Sequence, residues 1–323
     1  MRFAVLPVLL LSLAACERPV PTVQQGPDGQ LVLGDAEALD TSERSVTPAG
    51  RTLVVENFNG TIDIGVSDGP TALLRFTRRA RGTDEATAAD VLAGVTVTET
   101  AEPGRVRFAL RAQNPSLAAV DVRGTIPRGT YLDLVMESGT VSVRGVDGPL
   151  RIRLDNGTVQ VTGTAAPVDV QAQNATIDVS VSRLTSGVTL ASTNGVISLG
   201  LPLGASATID AQTQLGSVLV DGLALRDRRL DTSGTRARLT GRMGTGTHRV
   251  GISALNGDVS LHPAVPDAPP PDTLTGVIPA PVPGRGARVD SARRPPLVPG
   301  PPRDTGAAIP DPGIRLPDTL RLR

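Results

Sequence analysis

The chain has 323 residues, as many basic as acidic groups, one Cys, two His, no Trp and an aromatic content of 2%. All 32 basic residues are Arg, so a Lys-bearing phosphate loop and a Schiff-base Lys are excluded. The single Cys excludes an internal disulfide and a Cys-based zinc cluster, and zero net charge with few aromatics argues against a nucleic-acid surface.

At the start, Arg2 precedes an apolar run from Phe3 to Leu13, too short to span a bilayer as a stable helix. It ends in Leu13-Ala14-Ala15-Cys16, the pattern of a bacterial lipobox, with the sole Cys at the position that would carry lipid. Residues 1–15 are therefore expected to be a lipoprotein signal peptide and Cys16 the lipid-attachment residue. Diacylation plus an amide-linked chain, palmitate included, would anchor the protein stably. Glu17, rather than Asp, favours the outer membrane or cell surface. Residues 16–44, with Pro19, Pro21 and Pro27, read as a polar tether.

Residues 45–261 alternate apolar and polar almost throughout, which predicts strands. The one helical candidate is Asp84–Ala93, with Thr83 as N-cap. Small turn pairs recur at Asn59-Gly60, Ser138-Gly139, Asn156-Gly157, Asn174-Ala175, Asn194-Gly195, Leu215-Gly216, Ser233-Gly234 and Asn256-Gly257. From Gly139 their spacings are 18, 18, 20, 21, 18 and 23, the mark of a stacked array. Two residues after the turn sit Val141, Val159, Ile177, Ile197, Val218 and Val259; seven before it sit Leu132, Leu150, Val168, Val188 and Ile209. These are the expected inward columns, whereas Asp133, Arg151 and Asp169 share an outward one. The fold class is all-β, and a β-solenoid with coils of about 18–23 residues is preferred because like stacks on like. An antiparallel β-meander sandwich stays open, since Asn-Gly is also a strong hairpin signal. From His262 to Arg323, 16 of 62 residues are Pro and the apolar residues lack a period, so a disordered Pro-rich tail is expected.

The opening Leu53-x-Val55-x-Asn57-x-Asn59-Gly60-x-Ile62, the strand Gly124-Thr125-Ile126-Pro127 leading to Leu132, the Asn-Gly-x-Val/Ile turns and Leu199-Gly200-Leu201-Pro202 carry a resemblance. Over about 45–261 the chain resembles a widespread bacterial family of "putative adhesin" domains, otherwise of unknown function. The resemblance implies a β-solenoid envelope domain and brings no catalytic residues with it.

Chemistry-bearing patterns are few. Gly65-Val66-Ser67-Asp68-Gly69 matches a nucleophile elbow, but Pro70 and a strand-like run follow where a helix is needed. A polysaccharide-cleaving β-helix needs converging carboxylates, yet Asp178 is flanked in its column by Gln160 and Ser198, and Arg151 separates Asp133 from Asp169. Arg226, Arg228, Arg229, Arg236 and Arg238 form a locally basic cluster, suited either to solvated strand faces or to an anionic glycan or lipid headgroup. His248 and His262 are expected at the surface. No cofactor or metal is implied. The expected function is a non-catalytic, lipid-anchored adhesion or scaffold module of the cell envelope, partnered by the membrane and by a glycan or envelope protein. A glycan-processing β-helix enzyme and an envelope-stress sensor are the alternatives.

Overall fold

The computed structural model describes residues 24–25, 31–32, 36–165 and 167–264. Cys16, the first residues of the expected tether and nearly all of the Pro-rich tail lie outside them. β1 (Gln24–Gln25) and β2 (Leu31–Val32) form a small antiparallel pair. The main body runs β3 (Ala36–Val46), β4 (Thr52–Ser67), β5 (Ala72–Gly82), α1 (Glu85–Ala93), β6 (Val95–Glu102), β7 (Arg105–Ala112), β8 (Ala118–Pro127), β9 (Leu132–Arg144), β10 (Leu150–Thr164) and β11 (Val168–Val181). It continues through β12 (Val188–Asn194), β13 (Ile197–Leu201), β14 (Ala207–Leu215), β15 (Val218–Val220), β16 (Arg226–Ser233), β17 (Arg236–Met243), β18 (His248–Asn256) and β19 (Val259–Pro263).

The apolar-polar alternation builds a β-solenoid in which two sheets share a corner. Within each coil the residues before the corner lie in one sheet and those after it in the other. β4, β9, β10 and β11 run through both sheets and pair parallel with one another. β12 with β13, β18 with β19 and β14 with β15 continue the same two ladders as broken strands. The predicted inward columns are the core. Val141, Val159, Ile177, Ile197 and Val259 are fully buried, as are Leu132, Val188 and Ile209. Each such side chain contributes roughly 1.5–3 kcal/mol, which suffices with few aromatics. Val159 pairs in register with Val141 and Ile177, so Asn156-Gly157 is a corner inside one continuous strand and not a hairpin.

The corner explains the Asn-Gly repeat. Gly139, Gly157, Gly195 and Gly257 have φ between 131° and 139°, which suits glycine. The corner asparagines form an amide ladder: Asn174 Nδ2 donates to Asn156 Oδ1 at 3.0 Å, Asn194 Nδ2 to Asn174 Oδ1 at 2.7 Å, and Asn256 Nδ2 to Asn194 Oδ1 at 2.7 Å.

That last step reveals an ordering the spacing alone does not give. The coil of β18 and β19 lies between that of β12 and β13 and that of β14 and β15, so the last coil in sequence is the penultimate one in space. The expected coil around Ser233-Gly234 is absent. Residues 226–243 form an antiparallel hairpin, with Ser233 opposite Arg236 and Gly234 at φ 62° in its turn. The turn pair matched the repeat because hairpins and corners both favour a small polar residue followed by Gly. β17 of this hairpin adds antiparallel to β14 and extends the first sheet.

The opposite end is also antiparallel. β5 pairs with β3 and β8 in the second sheet, and β6 pairs with β7 in the first. β3 draws the sheet back to Ala36, into the segment expected as tether, and β19 carries it to Pro263, just past the expected start of the tail. α1 links the sheets here and buries Ala88 and Val91. Its N-cap is Asp84, not Thr83: the carboxylate accepts from Thr87 N–H at 2.7 Å, a charge-assisted bond that the Thr hydroxyl does not match. The outward column also differs from expectation. Arg151 approaches Asp169 at 3.7 Å, but Asp133 is held at 3.0 Å by Arg153, two residues along the strand, because the longer diagonal lets the guanidinium reach the carboxylate without folding back.

Candidate functional site

The outer face of the first sheet carries rows of side chains at matched register. One row crosses six strands as Gln171, Ala191, Ser253, Gln212, Arg238 and Asp231. Five steps of about 4.8 Å make it roughly 24 Å long. Its centre is low, since Ala191 and Ser253 are short and the neighbouring Gly251 has open space where a Cβ would stand. Glutamines and the arginines of β17 rise on either side. The result is a groove of about 820 Å³, whose walls include Thr193, Gln214 and Arg236.

The β16–β17 hairpin sets the electrostatics of this groove. Ala237, Leu239 and Met243 are buried, so Arg236, Arg238 and Arg242 between them face outward. Arg238 grips Asp210 with two bonds, Nε to Oδ1 at 3.0 Å and Nη2 to Oδ2 at 2.8 Å, and the carboxylate raises the Arg238 pKa further. Arg242 bonds Asp227, whose carboxyl is held below its ordinary range first by that hydrogen bond and then by the charge of Arg242. Asp227 sits at φ 51°, where the register of β16 shifts between Arg226 and Arg229. Every residue of β16 is exposed.

The basic cluster named from the sequence is thus brought together on one hairpin. The acidic candidates are not. Asp178 lies between Gln160 and Ser198 in register, and Asp169 neighbours Arg151 and Thr189. Ser67 ends β4, and β5 follows its loop where an elbow needs a helix. His248 is half-buried on β18. His262 is pinned on β19, where Nδ1 donates to the Pro263 carbonyl at 2.8 Å and Nε2 takes the Ser198 hydroxyl at 2.9 Å. Among the described residues, no three His, Cys, Asp or Glu side chains gather as a metal site, and no helix is long and apolar enough to cross a membrane. Sequence reasoning found the arginines but missed the groove, because its floor pairs Ala191 with Ser253, residues 62 apart that only the interleaved coil makes neighbours.

Two polar-faced sheets meeting at an Asn-Gly corner define a domain of the β-solenoid class. The chain belongs to the Toastrack DUF4097 family, whose model matches residues 92–262. Among solved structures it is similar to a "putative cell adhesion protein" from Clostridium sporogenes, at 12% identity over 70% of this chain and 100% of that one, with a TM-score of 0.41. It is also similar to a "putative adhesin" from Parabacteroides merdae, at 11% identity over 72% of this chain and 84% of that one, with a TM-score of 0.37. No curated protein matches the chain significantly.

Proposed function

We propose that this protein is a lipid-anchored adhesion or scaffold module of the cell envelope that binds without turnover. The observation that carries the reading is the outer face itself. Rows of Gln, Ser, Thr and Arg side chains stand at fixed register on strands locked by a packed core. Such a surface suits extended, multivalent contacts that are individually weak. Catalysis would need an acid, base or nucleophile converging in a water-poor cleft. Asp169 and Asp178, the nearest candidates, neighbour Arg, Gln, Ser and Thr and not another acid. The anchor rests on Leu13-Ala14-Ala15-Cys16, with the outer membrane or cell surface as its site.

Two experiments test this. Metabolic labelling with palmitate should mark the wild-type protein and fail on Cys16→Ser; equal labelling of both would remove the anchor. Purified protein should release neither reducing sugar nor unsaturated product from envelope or plant polysaccharides, with or without calcium. Turnover that disappears in Asp169→Asn or Asp178→Asn would establish an enzyme instead.

A further inference from the structure

We infer that the groove on the outer face of the first sheet binds an extended, carboxylate-bearing polysaccharide, gripped by Arg236 and Arg238 in its wall and by the arginines that continue along the β16–β17 hairpin beyond it. This rests on the binding-module reading and adds its ligand class. Between 226 and 242 the chain carries six Arg against two Asp, although its net charge is zero. Arg238 and Arg242 hold Asp210 and Asp227. The Arg236 side chain makes no hydrogen bond or ion pair with another described residue, and Arg226 and Arg229 act on Asp227 only through their charge, beside Arg242. Arg226 stands directly opposite Arg242, and the Asp227 carboxylate lies within electrostatic reach of Arg242, Arg229 and Arg226, so one anion serves three guanidinium groups. Arg226, Arg228 and Arg229 sit on the edge strand β16, where charge also keeps the edge from pairing. Arg236, Arg238 and Arg242 lie one strand further in and point off the face.

The rest of the groove fits a sugar chain. Guanidinium groups take carboxylates in bidentate fashion. Gln171, Gln212 and Gln214 offer amides, and Thr193 and Ser253 hydroxyls, to neutral sugar oxygens. The lining of the groove draws on six strands, a span that suits a polymer. A planar anionic bilayer would reach the protruding arginines but not Ala191 and Ser253 on the floor.

The test uses fluorescent polygalacturonate and purified full-length protein, read by anisotropy at low and physiological ionic strength. Saturable binding is expected, weaker at higher salt, with no binding of the carboxyl-reduced polymer. The triple variant Arg226→Gln/Arg229→Gln/Arg236→Gln should weaken binding about tenfold or more. Ser253→Trp, which keeps every charge but fills the floor, should weaken it comparably. Thermal melts of both variants should match wild type, because all four positions are solvent-facing. Absence of saturable binding, equal binding of the reduced polymer, or unchanged affinity in either variant overturns the proposal. So does competition in which phosphatidylglycerol vesicles displace the polymer, which would reassign the face to lipid headgroups. Cell-adhesion assays run beside these separate the two readings. Adhesion without polymer binding removes only the ligand assignment, and polymer binding without adhesion removes only the module reading.

Discussion

Gly157→Ala puts the corner geometry to a quantitative test. A methyl group there would lie 1.8 Å from the Gly139 carbonyl oxygen and 2.8 Å from its carbon, both backbone atoms. Ordinary contact requires roughly 1.5 Å more, so one coil must move against the next. That shift breaks the parallel register of Asn156–Thr158 against Ser138–Thr140. Two ladder hydrogen bonds at about 1 kcal/mol each, plus about 1–2 kcal/mol for an L-residue at φ 137°, give a loss of about 3–4 kcal/mol. Gly104→Ala isolates the backbone term, because Gly104 has φ 85° in the β6–β7 turn and nothing within 4 Å of its would-be Cβ. It should cost about 1–2 kcal/mol. With an m-value of about 3 kcal/mol per molar urea, Gly157→Ala should lower the unfolding midpoint by about 1 M and Gly104→Ala by half that or less. A Gly157→Ala midpoint no lower than that of Gly104→Ala would refute the close-approach argument.

Three further outcomes are expected. Val159→Asp places a carboxylate in the sealed column between Val141 and Ile177 and should cost at least about 3 kcal/mol, whereas exposed Gln160→Asp should stay within about 1 kcal/mol; urea melts giving equal losses would contradict the inward–outward assignment. Leu215 pairs with Asn256, whose Oδ1 is buried without a donor, so Leu215→Asn should extend the amide ladder and raise stability by about 0.5–1.5 kcal/mol; a destabilised variant would show that the ladder adds nothing there. Glu56 is held below its ordinary pKa first by its hydrogen bond from Arg107, against desolvation, with Arg111 adding to the effect. A depressed carboxyl stabilises the fold above its unfolded pKa, and the contribution fades as pH falls through the folded value. Glu56→Gln should therefore lower the melting temperature at neutral pH and converge with wild type in acid, and parallel curves down to the acid limit would disprove the linkage.

Most of the coil architecture is legible in the sequence because period-two burial recurs at every level and the corner glycine at all but that of Ala175. Two features were harder to see, for physical reasons. The Ser233-Gly234 hairpin satisfies the same local turn chemistry as a corner, and only the exposure of all of β16 distinguishes it. The spatial order of the last coils is set by matching side chains between non-adjacent segments, which spacing does not encode. Yet a trace of it is present. Asn156, Asn174, Asn194 and Asn256 stack in turn, while Leu215 interrupts the series in sequence and ends it in space. Leu219 departs from the polar column of Ser198 and Ser260 for the same reason, since it lies on the end coil. The groove inherits this difficulty, as its floor exists only once β18 has entered between β12 and β14.

The interleaved coil also sets a timetable for assembly. A chain that emerges N-terminus first can lay each coil on one already made as far as Leu201, β9 on β4 and the later ones each on its predecessor. Residues 207–220 then find no template, because their parallel partners are residues 248–263, not yet available. They must wait, with the antiparallel hairpin of β16 and β17 as their only early ally through β14. When the last coil arrives it docks on both neighbours at once, closing contacts with sequence separations near 60 on one flank and near 40 on the other. Completion of the stack is therefore an insertion and not an addition, and the stack is latched by the coil that is made last.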